Sequence, residues 1–241
     1  MDYQQPQIAE IYDVANPQSQ DTDFYLSLAG ARPCSVLDLG CGTGVLCCAL
    51  AELGHRVTGV DPAAAMLAVA RRKPNAEHVE WLESSAQNYK SHLRFDLIVM
   101  TGHAFQILLT DADALALLET MRGHLKERGR VAFETRNPRV DWAGEWAARP
   151  PLVHTVRGEQ LLETLKITGK DGEFISFQTS YRSPHATLTT DSILRFASRE
   201  HVESLIARSG LVVRDVFGGW DAGPFEPARS RELIFVGEHA G

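Results

Sequence analysis

Cysteine is scarce in this chain of 241 residues, and its four cysteines lie close together at positions 34, 41, 47 and 48. They form no CxxC pair, so the sequence shows neither the spacing of a zinc site nor a disulfide framework. There is no apolar run of membrane-spanning length and no basic segment followed by an apolar run at the start. These absences predict a soluble cytoplasmic protein with no metal and no membrane partner.

Positive charge is also in short supply. Lys and Arg number 24 against 31 Asp and Glu, which gives a net charge of −7 at pH 7. Because nonspecific nucleic-acid binding depends on Lys and Arg neutralising phosphates, we expect no nucleic-acid partner. The chain does have an apolar fraction of 44%, enough for a substantial core. Its length fits one large α/β domain or two small ones.

Strand-like and helix-like segments alternate in the first half of the chain. Short apolar runs predict strands at residues 35–39, 56–60, 78–82, 95–100 and 130–134. Helical spacing of apolar residues predicts helices at 44–53, 62–72 and 111–125, the second with Pro62 at its first position. This alternation is typical of a Rossmann-like, mostly parallel sheet with helices on both faces.

The pattern changes after Arg136. Residues 137–195 show no helical period and contain alternating runs such as EFISFQTSYR, with GKDG at 169–172 as a predicted hairpin turn. We interpret this segment as an antiparallel β-sheet lid, inserted into a single domain that spans residues 1–241. A helix capped by Ser198 and stopped by Gly210 follows, and two final strands, LVVRDVF and ELIFVG, should return to the core sheet.

The most informative stretch is SVLDLGCGTG, residues 35–44, in which an apolar strand enters a loop with three glycines. Its spacing is GxGxG. The dinucleotide fingerprint needs a glycine where Val45 stands, and a phosphate-binding P-loop needs a Lys-Ser/Thr pair that is absent. The glycines therefore indicate close approach of a ligand to the backbone without specifying a phosphate.

Two carboxylates narrow the choice of ligand. Asp38 stands beside the loop, where it would repel a pyrophosphate and attract a cation. Asp61 closes the second strand, the position from which an acid accepts hydrogen bonds from ribose hydroxyls. S-adenosylmethionine (SAM), a nucleoside with a free ribose diol and a positively charged remainder, fits this pair, whereas NAD fits it poorly. A structural cap of the following helix is the alternative role for Asp38.

VLDLGCGTG followed by VTGVD resembles the first two motifs of class I SAM-dependent methyltransferases. The resemblance implies a seven-stranded sheet whose last strand is antiparallel, and SAM as cofactor with S-adenosylhomocysteine as product. It also implies a set of cofactor-binding positions. These are Asp38, Gly40 and Gly42 at the methionine end, Asp61 at the ribose, Pro62, Met66, Ser85 and Ala86 around the adenine, Thr101 after strand four, and Tyr12 in an N-terminal segment that closes over SAM.

The acceptor side is predicted from the loop after strand four and from the inserted segment. His103, in MTGHAFQ, is the candidate for a base or a hydrogen bond to the substrate. Arg136, Tyr181 and Arg182 are candidate substrate-binding residues, with Arg136 placed to meet an acidic group. The [DN]PP[YF] signature of adenine and glutamine amide methylation is absent after strand four.

We therefore expect methyl transfer to oxygen or nitrogen of a small-molecule acceptor. A SAM-binding sensor without catalysis, a protein or RNA methyltransferase and an NAD-dependent oxidoreductase remain as alternatives.

Overall fold

The computed structural model describes residues 3–240, which fold around two β-sheets. In chain order the strands of this part are β1 (Ser35–Leu39), β2 (Arg56–Asp61), β3 (Val79–Glu83), β4 (Phe95–Met100), β5 (Leu125–Arg136), β6 (Leu152–Val156), β7 (Glu159–Asp171), β8 (Phe174–Arg182), β9 (Thr187–Arg195), β10 (Leu211–Phe217) and β11 (Glu232–His239). The α-helices are α1 (Pro6–Ala15), α2 (Gln20–Ala29), α3 (Val45–Glu52), α4 (Ala64–Ala70), α5 (Asp111–His124), α6 (Trp142–Ala147) and α7 (Arg199–Arg208). None of these helices has both the length and the apolar character that crossing a membrane requires.

The larger sheet has the strand order β10-β11-β5-β4-β1-β2-β3. Strands β1 to β5 pair in parallel, whereas β11 runs antiparallel to both β5 and β10. This confirms the predicted α/β fold and the antiparallel last strand. The strand order reverses between β1 and β4, and in open α/β sheets such a reversal opens a ligand-binding crevice at the carboxyl ends of the strands.

Alternate residues of the central strands supply two separate apolar layers. On one face Leu37, Ile98 and Phe133 pack in the cluster that also holds residues of α5 and α7. On the other face Val36, Val99 and their neighbours pack with residues of α2 and α3. Burial of both faces explains why these strands read as continuous apolar runs in the sequence.

The segment after β5 forms the second sheet, an antiparallel meander with the order β6-β7-β8-β9. This confirms the predicted antiparallel strands, but the expected turn is displaced. The chain reverses at Gly172 and Glu173, between the paired residues Asp171 and Phe174. Gly169 lies inside β7 next to a register shift, because β7 extends further than the sequence pattern indicated.

Two sequence expectations about helices are wrong. Residues 137–195 do contain a helix, α6, whose cap Asp141 accepts from the Gly144 N–H at 3.3 Å. At six residues it is too short to show a helical period. Pro62 also precedes α4 and is not its first residue, because the Asp61 carboxylate takes the Ala63 N–H at 2.8 Å and delays the helix.

Helices α1 and α2 were not predicted as helices, and α1 links the two sheets. Ile8 and Ile11 of α1 are buried with Tyr181 of β8. The opposite side of α1 packs against α4 through Ala9 and Met66. The N-terminal segment thereby joins the second sheet to the crevice side of the parallel core.

Candidate active site

The loop between β1 and α3 is held by backbone hydrogen bonds to the end of β2. Gly40 N–H and Cys41 N–H both donate to the Val60 carbonyl, at 2.7 and 3.1 Å. Gly40, Gly42 and Gly44 all have positive φ, at 78°, 55° and 74°, a conformation that other residues adopt only with strain. The predicted glycine loop is therefore a fixed left-handed turn at the switch point of the sheet.

The three glycines differ in what surrounds them. A Cβ on Gly40 or Gly42 would make only ordinary van der Waals contacts, at 3.6 Å from Ala104 and 3.8 Å from Tyr12, and both residues line the cavity described below. A Cβ on Gly44 would lie 2.4 Å from the Trp81 ring. Gly40 and Gly42 are thus available for close approach of a ligand, whereas Gly44 is required for packing.

Asp61 connects the loop to the tip of β2. Its two oxygens accept hydrogen bonds from the N–H groups of Gly42 at 2.9 Å and Ala63 at 2.8 Å. Burial raises the pKa of this carboxyl, and the two amide bonds oppose the rise. Each oxygen retains a lone pair, so a diol that approaches the loop finds an acceptor at a fixed position.

Asp38, on β1, is fully buried and only half satisfied. Its Oδ2 accepts from the Cys47 thiol at 3.3 Å, whereas Oδ1 has no hydrogen-bond partner. Burial raises the pKa of Asp38 to about 7, against the lowering effect of the Cys47 bond. The alternative role as a helix cap is not observed, because Gly44 is the N-cap of α3 and no side chain caps this helix. An unpartnered buried carboxylate oxygen calls for a donor or a cation.

A cavity of about 310 Å³ opens in front of the glycine loop. Its walls include four predicted cofactor residues, Tyr12, Gly40, Gly42 and Thr101, together with Asp21 and Gly102. This volume is at the lower end of the range for small-molecule sites. The loop end of the predicted cofactor set therefore faces open space.

The remaining predicted cofactor residues lie under the N-terminal segment. Tyr3 packs with Ala63, Met66 and Tyr12, and burial raises its pKa to about 12, with Asp61 as a further cause. The Pro62 carbonyl accepts from the Gln4 amide at 2.8 Å. Ala86 is buried and Ser85 half-buried, in the 3₁₀ turn after β3. The ribose and adenine positions are thus brought together but covered by residues 3 and 4.

His103 follows β4 with a positive φ of 57°. Its N–H donates to Glu134 Oε1 at 2.6 Å, and its ring Nε2 lies 2.8 Å from Glu232 Oε2. The ring also makes an edge contact with Trp220, 6.4 Å between centroids. Two carboxylates from β5 and β11 therefore fix both the backbone and the ring of the predicted catalytic residue.

Glu134 and Glu232 are site residues that the sequence reasoning missed. Glu134 is completely buried, accepts a hydrogen bond from the Tyr25 hydroxyl as well as from His103, and has its pKa raised by burial. The only sequence signal was an acid that ends each of the apolar runs RVAFE and, in reverse, ELIFV. An acid at a strand end does not by itself reveal its partners.

The predicted substrate-binding residues fall into two places. Arg136 lies at the end of β5, next to Trp142 and Trp146 of α6. Tyr181 is buried against α1, where burial raises its pKa, and Arg182 is exposed at the end of β8. The structure therefore brings Arg136 near His103 and Glu232, since Arg136 is the register partner of Glu232, and leaves Arg182 on the surface.

The chain is similar to known methyltransferases in sequence and in fold. A family model described as a methyltransferase domain matches residues 36–129. The cypemycin N-terminal methyltransferase of a Streptomyces species is 26% identical over 231 residues, which cover 94% of both chains. The CcbJ methyltransferase from Streptomyces caelestis has a similar structure, with a TM-score of 0.78, 22% identity and coverage of 97% of this chain and 96% of that one.

A second solved structure contains the cofactor that the two carboxylates suggested. SAM-bound CalS10, an amino pentose methyltransferase from Micromonospora echinaspora, has a TM-score of 0.69 and 19% identity, with 92% of each chain covered. The matched methyltransferase segment begins on β1 beside Asp38 and includes the glycine loop, Asp61 and His103. The sheet order, the loop and these matches show a methyltransferase domain with the fold of class I SAM-dependent methyltransferases.

Proposed function

We propose that this enzyme transfers the methyl group of SAM to an oxygen or nitrogen of a small-molecule acceptor. The observation that carries the proposal is the buried, unpartnered Oδ1 of Asp38, next to a glycine loop whose Gly40 and Gly42 line a cavity. A pyrophosphate would be repelled there, whereas a cationic nucleoside satisfies the carboxylate.

The residues present fit this cofactor. Asp38 and the backbone around Gly40 and Gly42 would hold its charged amino-acid end, and Asp61 would accept hydrogen bonds from the ribose. Met66, Ser85 and Ala86 would surround the base, and Tyr12 and Thr101 would close the cavity at the loop. SAM supplies a methyl group already activated on a positively charged sulfur, so the protein mainly provides position and a dry site.

His103 is the residue we assign to the acceptor's proton. If Nε2 donates its proton to Glu232, the other ring nitrogen, Nδ1, is left as a proton acceptor, and no described residue hydrogen-bonds to it. Glu232 would fix the ring and its tautomer. The Glu134 bond to the backbone of His103 would fix the loop itself.

A small acceptor is supported by the charge of the chain and by its relatives. The net charge of −7 does not suit a nucleic-acid substrate. One relative is named for the N-terminus of cypemycin, and one structural neighbour for an amino pentose. We propose that residues 137–195 act as a lid within one domain that covers the acceptor. The four unpaired cysteines suit the cytoplasm as the setting.

Calorimetric titration with SAM and S-adenosylhomocysteine tests the cofactor. Incubation with methyl-labelled SAM and panels of amines, sugars, phenols and carboxylic acids tests transfer. We expect binding of both nucleosides and label in at least one small product. Binding of SAM without label in any product would contradict the enzymatic proposal, and binding of NAD in its place would contradict the cofactor.

A further inference from the structure

Arg136 is a half-buried cation without an ion pair. It makes one side-chain hydrogen bond, from Nη1 to Gln106 Oε1 at 2.8 Å, and pairs with no carboxylate of residues 3–240. Neighbouring arginines of the same region are paired: Arg149 with Glu163, and Arg231 with Glu145. A guanidinium has five N–H donors, so most of the hydrogen-bonding capacity of Arg136 is unused.

The guanidinium of Arg136 is held in place by rigid neighbours. Its carbon lies 5.5 Å from the centre of the Trp142 ring and 5.2 Å from that of Trp146. Gln106 is itself fixed, because its amide donates to the Arg195 carbonyl at 2.9 Å. Trp142 is fixed as well, through a bond from its ring N–H to the Asn137 carbonyl at 2.9 Å. The cation is therefore preorganised before any ligand binds.

The nearby acids do not neutralise this cation by contact. Glu134 and Glu232 influence Arg136 through space, but both oxygens of Glu134 are engaged by Tyr25 and His103, and Glu232 Oε2 is engaged by the His103 ring. Burial lowers the pKa of Arg136, as expected for a charge that has lost water without gaining a partner. Such a group is costly unless an anion binds to it.

The position of Arg136 connects it with the proposed chemistry. Arg136 and Glu232 are direct register partners on the antiparallel strands β5 and β11, and Glu232 contacts the His103 ring. Gln106 lies only three residues after His103. An anion held by Arg136 would therefore place the rest of its molecule beside His103.

We propose that Arg136 binds a carboxylate of the methyl acceptor, so that the enzyme acts on small carboxylic acids or amino acids. The inference rests on the proposed function, which it narrows to one chemical class of acceptor. A carboxylate accepts two parallel hydrogen bonds from a guanidinium, which would use donors that Gln106 leaves free.

Because the acceptor is not identified, the test uses benzoate and its neutral isostere benzamide. Binding is measured by tryptophan fluorescence and by calorimetry, with and without S-adenosylhomocysteine. Wild-type protein should bind benzoate about tenfold or more tightly than benzamide, the range for hydrogen bonds to a charged group. Arg136→Gln should remove this difference, and Arg136→Lys should retain part of it.

Arg231→Gln is the matched control. Arg231 also lies over the Trp142 ring, at 4.5 Å, but it is exposed and paired with Glu145. Arg231→Gln should leave the preference for benzoate over benzamide unchanged. Thermal unfolding of each variant shows whether the fold is retained, and Arg136→Lys keeps the test valid if Arg136→Gln does not fold.

Equal affinity for benzoate and benzamide, no benzoate binding at about 10 mM, or a preference that survives in Arg136→Gln would overturn the proposal. Nucleoside binding is read separately. A wild-type protein that prefers benzoate but binds no S-adenosylhomocysteine would contradict the proposed function while supporting the carboxylate site.

Discussion

The two ends of the crevice are built from contacts of very different range. At the glycine loop the side-chain bonds of Asp38 and Asp61 join residues 9, 19 and 2 positions apart. Around His103 the corresponding bonds span 31, 129 and 109 positions, because β5, β11 and α2 all contribute. The glycine-loop end therefore depends on contacts that are mostly local in sequence. The His103 end depends on contacts between elements that are distant in sequence. Changes at the loop carboxylates should therefore alter ligand affinity, and changes at the second end should alter stability.

Glu134→Ala should produce the largest effect. The substitution leaves the Tyr25 hydroxyl and the His103 N–H without their acceptor inside the fold. Two buried donors without partners and a lost side chain cost roughly 3–5 kcal/mol of the free energy of unfolding. Urea denaturation measures this loss.

Glu134→Gln is the matched variant for that comparison. It keeps one acceptor oxygen and nearly the same volume, so it should lose roughly half as much stability. If Glu134→Ala lowered nucleoside affinity strongly and left the unfolding midpoint unchanged, the contrast between the two ends would be reversed.

Within the glycine loop, one glycine should matter mainly for stability and another mainly for ligand affinity. Gly44→Ala places a Cβ 2.4 Å from Trp81, whose ring is held by a bond to the Ala76 carbonyl, at a φ of 74°. Overpacking and the left-handed backbone together should cost roughly 2–4 kcal/mol of stability.

Gly42→Ala is the counterpart in the same loop. Its Cβ would make only an ordinary contact with Tyr12 at 3.8 Å, so only the backbone strain of about 1 kcal/mol applies, but the methyl group would enter the cavity. We expect a smaller loss of melting temperature than for Gly44→Ala and a larger loss of S-adenosylhomocysteine affinity. Equal effects of the two substitutions on both quantities would show that the loop does not divide in this way.

The sequence predicted the parts of the fold that depend on local chemistry. Strands β1 and β4 match their predicted bounds, since both are short runs buried on both faces. The cap at Ser198 was also predicted, and its hydroxyl accepts from the His201 N–H at 3.2 Å. At the site, the glycine loop after β1 and the carboxylates near the ends of β1 and β2 followed from the motif alone.

What the sequence did not predict depends on distant pairing. Nothing in RVAFE indicates that Glu134 meets a tyrosine 109 positions earlier. The sequence also contained no sign that Gly44 and Gly42 have different roles, because this difference depends on where β3 places the Trp81 ring. Helix α6 was missed because six residues are too few for a period. For the acceptor side, the sequence therefore predicted single candidate residues and not the hydrogen bonds that connect His103 with Glu134 and Glu232.

Asp61→Ala tests whether a carboxylate at the glycine-loop end acts mainly on ligand affinity. Loss of the carboxylate should reduce S-adenosylhomocysteine affinity by roughly 1.5–3 kcal/mol, about 10- to 150-fold, the range for hydrogen bonds to a charged group. Stability should fall by roughly 1–3 kcal/mol, because the buried Ala63 N–H loses its acceptor, whereas Gly42 lines the cavity and its N–H can bind water. Calorimetry gives the affinity, and Asp171→Ala in the exposed hairpin of the second sheet is the control. Unchanged affinity would remove Asp61 from the site.

Asp38→Asn should change stability in the opposite direction from the other substitutions. Because burial raises the pKa of Asp38 from 3.8 to about 7, the folded protein keeps a proton that the unfolded chain has released between those pH values. The ligand-free protein therefore loses stability as the pH rises through this window. The variant lacks this loss and should be more stable than wild type at pH 8 by roughly 1–3 kcal/mol, with little difference at pH 4. Urea denaturation at both pH values measures the difference in stability between variant and wild type. The other carboxyls with raised pKa values are present in both proteins, so their effects cancel in this difference.

The affinity for SAM should change in the opposite direction. In wild type it should rise with pH, as Asp38 ionises, whereas in Asp38→Asn it should be weaker and depend less on pH. If Asp38→Asn lost stability with rising pH as steeply as wild type, Asp38 would already be ionised in the ligand-free protein. The idea that ionisation of Asp38 is coupled to binding of a cation would then be wrong.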